Sequence, residues 1–309
     1  MSDRARGHDG ISGTGPSPLA GHPAGAPSIV RQAYERFRRH RLAMVSSAAL
    51  GVFIALALAA PIIQRYPPNA IDLGRGSLAP SLVHWLGTDT IGRDIWSRAL
   101  HGARVSLAIG LLSTLISMTL GITVGALSGY YLGWVDMFLQ RVTDVVMTFP
   151  SIVLMMTLVV FVGPGVTNTI LIIGGVSWMG VARLARAEFL TLREQVYVEA
   201  ARCLGAPDRR IMWRHLLPNA IAPVLAQGAF GVGQAILTEA GLSFLGLGVP
   251  LPTPSWGNML EPAIQLQILR NAPWIWVPPA VLIVLTVLCV NFIGDGARDA
   301  LDPRTLRGA

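Results

Sequence analysis

The chain has 309 residues, of which 52% are hydrophobic and only 13% charged, with a formal charge of +7 and a mean hydropathy of +0.54. Soluble domains carry roughly 25% charged residues, so this balance excludes an ordinary water-soluble globule and points to the bilayer. All 24 basic residues are arginine, which excludes a phosphate-cradling G-x-x-x-x-G-K-[ST] loop, so any nucleotide hydrolysis must belong to another subunit.

Residues 1–28 are rich in Gly, Ser, Pro and Ala without periodicity and read as a disordered tail. Apolar runs long enough to cross a bilayer follow at 42–63, 105–131, 137–162, 166–182, 221–247 and 274–293. Each must be helical, because an open strand would leave its backbone polar groups unpaired in lipid. The fourth run extends toward Ala187, and Pro150 predicts a kink inside the third. Cys203 and Cys289 are too few and too far apart for a disulfide framework or a metal cluster.

Arg31, Arg36, Arg38, Arg39 and Arg41 precede the first run and place the N-terminus in the cytoplasm. Counting spans then puts residues 183–215, with seven Arg against four acids, on the same side. The segment 64–104, with Arg65, Arg75, Arg93, Arg98 and Arg104, falls outside and is only partly offset by Asp72, Asp89 and Asp94. Within it, Ile95, Trp96, Ala99 and Leu100 form one apolar face, as in an interfacial helix with Trp96 at headgroup level; substrate recognition is the competing role. In the second run Ser113, Ser117, Gly121, Gly125 and Gly129 recur every four residues, a smooth stripe for packing within the chain or against another subunit.

Residues 188–219 break the apolar pattern. "TLREQVYVEAARCL" reads as a short helix ended by Gly205 in a left-handed cap, and Pro207 with Asp208 opens a second helix, "DRRIMWRHLL". Pro218 is expected to break that helix before the fifth span. Ile211, Met212, His215 and Leu216 share one face, while Arg209, Arg210 and Arg214 lie elsewhere, which suits either a docking surface or a loop lying on anionic lipid.

Glu199-Ala200-Ala201, then Gly205, then His215-Leu216-Leu217-Pro218 resembles the EAA loop of ABC importer membrane subunits. "HWLGTDTIGRDIWSRALHGARVSL" (84–107), "DVVMTFPSIVL", "PNAIAPVLAQ" and "TEAGLSFLGLGVPLPTPSWGNML" (238–260) resemble the dipeptide, oligopeptide and nickel permeases, and the single span before the first of these resembles their C-type member. The resemblance covers roughly residues 30–305. It implies an all-α integral membrane protein with six transmembrane helices in the type I ABC importer permease fold. The parts would be an N-terminal tail (1–28), a first helix, span and outer segment (29–104), a core permease domain (105–296) with its coupling loop at 188–219, and a C-terminal tail (297–309). Both termini would be cytoplasmic in the bacterial inner membrane.

The same resemblance implies that Glu199, Ala200, Ala201, Gly205, Asp208, Arg209, Arg210, His215 and Pro218 form the coupling site for an ATPase. The implied function is half of the pathway for di- or oligopeptides, the alternatives being a nickel or glutathione importer of the same group. The implied partners are a second, B-type permease subunit (DppB/OppB-like), one or two ABC ATPases that bind ATP and Mg, an extracytoplasmic binding protein and membrane lipid, with no nucleic acid. The subunit itself needs no cofactor or metal and catalyses nothing.

Asp144, with Arg141 three residues earlier, reads as a self-satisfied pair inside the third span. Glu239 has no local partner and faces either the pathway or an interhelical hydrogen bond, and Trp256 belongs to an outer loop that meets a binding protein, borders the pathway or serves as a rigid connector. Two other classes are disfavoured. An intramembrane protease built on Ser243 would need a base, and all six His lie outside the spans. An ion-driven carrier would want inverted repeats and midplane carboxylates, and neither is evident.

Overall fold

The computed structural model describes residues 29–301, so the expected N-terminal tail and residues 302–309 lie outside it. The described residues form helices joined by short turns and by two longer segments, residues 64–94 and 245–265. In chain order the α-helices are α1 (Ile29–Arg39), α2 (Arg41–Leu58), α3 (Ala60–Ile63), α4 (Ile95–Tyr131), α5 (Gly133–Thr148), α6 (Ser151–Val162), α7 (Val166–Val176), α8 (Trp178–Arg193), α9 (Val196–Cys203), α10 (Asp208–Arg210), α11 (Leu217–Phe244), α12 (Leu266–Asn271) and α13 (Pro273–Leu301). The last helix therefore carries the chain past residue 297, where a tail was expected.

Five stretches are long and apolar enough to cross a bilayer: Arg41–Leu58, Ile95–Tyr131, Val166–Arg193, Asp208–Phe244 and Pro273–Ala300. The third expected span is not a kinked rod. It is the pair α5 and α6, bent by 87°, and it makes a sixth crossing only if the two halves count together. The reason is local: Phe149, just before Pro150, is forced to an extended conformation (ψ 137°), which turns the chain through a corner.

Helix α4 is the central post, with α7 and α8 on one side, α11 on another, and α2 and α13 closing the bundle. The small-residue stripe lets α8 lie almost against its backbone. A Cβ on Gly121 would stand 2.6 Å from Val181 Cβ, one on Gly125 would stand 2.6 Å from Ala185 Cβ, and one on Gly129 would stand 2.8 Å from Phe189 Cβ. Both partners advance by four residues at a time, so the helices run parallel, and the stripe is used within the chain.

The N-terminal end of α4 carries a polar cap rather than a separate interfacial helix. Asp94 is its N-cap: Oδ2 accepts from Ser97 N at 2.8 Å and Oδ1 pairs with His84 Nδ1 at 2.8 Å. Ile95, Ala99 and Leu100 are buried, but so are Ser97 and Arg98 on the opposite side, while Trp96 is half-buried. The arginines of segment 64–104 are largely held in this cap. Arg93 Nε lies 2.6 Å from Asp89 Oδ2, Arg98 Nε 3.9 Å from the same atom, and Arg75 Nε 3.3 Å from Asp72 Oδ2.

Candidate functional site

At the end of the bundle opposite that cap, residues 194–218 fold into a compact unit. Helix α8 ends at Arg193, and Gln195 turns the chain before α9, so the first loop helix is shorter than the sequence pattern predicts. Gly205 closes α9 at φ +74°, with Gly205 N donating to Arg202 O (2.9 Å) and Ala206 N to Ala201 O (3.1 Å). This is a Schellman cap, in which the left-handed residue lets two otherwise orphan carbonyls find donors. Pro207 stands just before α10, and Pro207 O accepts from Arg210 N at 2.8 Å.

The expected break at Pro218 does not occur. Residues Ile211–Leu216 form a π-helical turn, in which Leu217 N donates to Met212 O, and α11 follows without interruption. The proline sits in the first turn of α11, where the wider turn before it removes the need for its missing donor. The loop therefore passes into the fifth span as one continuous rod, Asp208–Phe244.

Ile211, Met212 and Leu216 are buried with Val198, Phe189, Ala126 and Tyr130 in a small core that fixes the unit to α4 and α8. Tyr130 is its polar centre. Its hydroxyl donates to Asp208 Oδ1 at 2.6 Å, its carbonyl accepts from Arg193 Nη1 at 2.9 Å, and the Arg202 guanidinium lies 5.6 Å from its ring centroid. Nearby Arg186 holds Asp136 through two 2.7 Å hydrogen bonds, and Ser128 donates to the same carboxylate. Tyr130 and Arg186 lie outside the motif, and nothing in the sequence spacing marks them.

The outer face of the unit is exposed. Glu199, Ala200, Gly205, Asp208, Arg209, Arg210 and Pro218 are all solvent-facing, and Ala201 and His215 are half-buried. Leu204 at the loop tip is 87% exposed and Val196 is 79% exposed. Arg209, Arg210, Trp213 and Arg214 line a shallow concavity between Pro207 and Pro218. An exposed apolar tip thus stands beside a cationic hollow on a rigid base.

The remaining candidates lie elsewhere. Asp144 does not pair with Arg141; Arg183 Nη2 from α8 donates to Asp144 Oδ1 at 2.7 Å, which ties the bent pair to the bundle. Glu239 is fully buried and does not face a pathway. Its Oε2 accepts from Ser106 Oγ (3.0 Å) and its Oε1 from Ser243 Oγ (2.7 Å). Trp256 is buried too: its backbone N donates to Ser106 Oγ (3.1 Å) and its indole to Ala99 O (3.0 Å). The loop 249–260 is folded against the N-terminal end of α4, and Trp256 is a buried plug there rather than an exposed contact.

A bundle of apolar helices around one long helix, with a rigid polar unit at one end, defines a polytopic membrane protein. The chain belongs to the family described as binding-protein-dependent transport system inner membrane component, which matches residues 121–307. Residues 28–80 match the N-terminal TM domain of oligopeptide transport permease C. It is 41% identical to a putative peptide permease protein of Brucella suis (91% of this chain, 93% of that one). It is 39% identical to the dipeptide transport system permease protein DppC of Alkalihalophilus pseudofirmus (90% and 91%), and 41% identical to the glutathione transport system permease protein GsiD of Pectobacterium atrosepticum (89% and 91%). In fold it is similar to a chain of the inward-facing MetNI methionine ABC transporter, with a TM-score of 0.52 at 20% identity over 67% of this chain and 97% of that one. The protein is an ABC transporter permease of the DppC/OppC-like group, with a type I importer fold and no catalytic role.

Proposed function

We propose that the chain is the C-type membrane subunit of an ATP-driven importer of di- or oligopeptides, set in the bacterial inner membrane with both termini in the cytoplasm. A second, B-type permease completes the pathway, an extracytoplasmic binding protein delivers the cargo, and one or two ABC ATPases bind ATP and Mg. Residues 196–218 are the element through which the ATPase acts. The observation that carries this reading is mechanical: the exposed unit is capped at Gly205, bolted to α4 through Tyr130 and Asp208, and continuous with α11. A push on Leu204 or Arg209 is therefore transmitted to two membrane helices rather than absorbed by a flexible linker.

In this mechanism, ATP binding brings the ATPases together, the coupling units follow, and the helices they carry open the pathway outward. Relatives named as peptide and dipeptide permeases support peptides as cargo, and a relative named as a glutathione permease supports a second reading, glutathione. The test is uptake by the purified assembly, with its binding protein, in ATP-loaded proteoliposomes offered a dipeptide, a pentapeptide or glutathione. Uptake of none of the three, with intact subunit composition, would overturn the proposal.

A further inference from the structure

Three membrane helices bring polar residues together at their midpoints. Ser113, Thr114 and Ser117 lie halfway along α4, Ser177 stands at the junction of α7 and α8, and Gln227 and Gln234 flank the middle of α11. Together they line a recess of about 240 Å³ that contains no ionisable side chain. Its floor is kept low by Gly228 and Gly231 of α11, and Gly180 on its wall faces open space.

The hydroxyls of Ser113 and Thr114 donate to Ile170 O and Gly110 O, which leaves them only lone pairs to offer. The two glutamines differ. Both are exposed, and neither side chain has a hydrogen-bond partner among the described residues. An amide left unpaired against hydrocarbon is strongly disfavoured, so this face does not look onto lipid. A flat subunit seam would be filled by side chains, whereas this surface is hollow midway along α4 and α11. Two such half-sites facing each other would reach the ~300–1,000 Å³ typical of small-ligand pockets.

We infer that this recess is a cargo half-site in which Gln227 and Gln234 exchange hydrogen bonds with the backbone amides of a short extended peptide. The inference rests on the importer reading above and adds what the pathway recognises. Seven residues of helix separate the two amides by about 10 Å along the axis, close to three residues of extended chain at ~3.3 Å each. Each glutamine offers both a donor and an acceptor, matching a peptide unit, which has one of each. With no charge in the recess, the site reads main chain and is indifferent to the charge of the cargo side chains.

The experiment uses the complete assembly in proteoliposomes, with the second permease, ATPases and binding protein. Initial uptake is compared for Ala-Ala-Ala and its analogue N-methylated at both peptide nitrogens, at equal occupancy of the binding protein. The wild type is expected to favour Ala-Ala-Ala by roughly tenfold, the cost of blocking its donors and crowding their acceptors. In Gln227→Leu/Gln234→Leu, Ala-Ala-Ala uptake should fall to the level of the methylated analogue and the ratio should approach one; Gln234→Leu alone should lower the ratio, and Gln234→Asn, which keeps an amide, should retain more of it than Gln234→Leu. A wild type that does not discriminate, or a double variant that keeps its ratio, overturns the inference. Loss of the second permease on co-purification of the double variant also overturns it, because the glutamines would then be a subunit seam. Absence of any peptide uptake by the wild type would instead sink the peptide-importer reading, and the named ligand with it.

Discussion

The Tyr130 hydroxyl donates a 2.6 Å hydrogen bond to Asp208 across 78 residues of sequence, joining the last turn of α4 to the first turn of α10. A hydrogen bond to a charged group contributes about 1.5–3 kcal/mol when shielded, and about 1 kcal/mol is expected here because Asp208 is exposed. Tyr130→Phe keeps the ring under Arg202 and removes only this bond. We expect faster tryptic cleavage at Arg209 and Arg210 and a severalfold drop in cargo uptake, with ATPase subunits still bound. Unchanged cleavage would show that the apolar core alone fixes the unit.

Gly205 isolates the backbone requirement, because a Cβ at this position meets nothing within 4 Å. Gly205→Ala therefore costs only the left-handed strain at φ +74°, about 1–2 kcal/mol. Gly205→Pro also removes the donor to Arg202 O and cannot adopt that φ. Transport should be reduced in the first and abolished in the second, while both insert into the membrane. Equal transport by the two variants, measured as ATP-dependent uptake, would show that the cap is dispensable.

The glycine stripe predicts the opposite kind of defect. A Cβ at Gly125 would lie 2.5 Å from Ala182 O and 2.6 Å from Ala185 Cβ, so Gly125→Ala must push α8 off α4. Overpacking of this sort costs about 1–3 kcal/mol, to be read as a lower melting temperature in detergent. Gly51→Ala in α2 is the control: no atom lies within 4 Å of the added methyl, and the substitution should be neutral or stabilising by up to about 1 kcal/mol.

Apolar run length was enough to read five of the six expected spans, because lipid leaves helices little alternative; the third, bent at Pro150, it did not resolve. The short loop helix and its end were legible for a different reason: Gly205 and Pro207 punctuate the polar segment. Contacts between distant segments were not legible. Asp144 has Arg141 one turn away in sequence, yet its observed partner is Arg183, brought in by the 87° corner at Pro150. Proline at 218 signals a helix break in isolation, and only the neighbouring π-helical turn, itself held by burial of Ile211, Met212 and Leu216, lets α11 absorb it. Tyr130 carries no motif at all, and its role comes from where α4 ends.

Glu239 and Trp256 are where sequence and structure differ most, and the difference can be measured. Both hydrogen-bond Ser106: its hydroxyl donates to Glu239 Oε2 and accepts from Trp256 N, so α4, α11 and the 249–260 loop meet at one oxygen. Trp256→Ala should cost about 3–5 kcal/mol through the cavity it leaves. Trp256→Phe should cost about 1 kcal/mol, for the lost indole bond to Ala99 O. Glu239→Leu should also destabilise, because the hydroxyls of Ser106 and Ser243 would both lose their acceptor. Since the two residues share Ser106, the double variant Glu239→Leu/Trp256→Ala should be less destabilised than the sum of the singles. Melting temperatures of the purified subunit pair report all four values. If Trp256→Ala left the melting temperature unchanged and weakened only association with a binding protein, the tryptophan would be an outward contact and not the plug of the bundle.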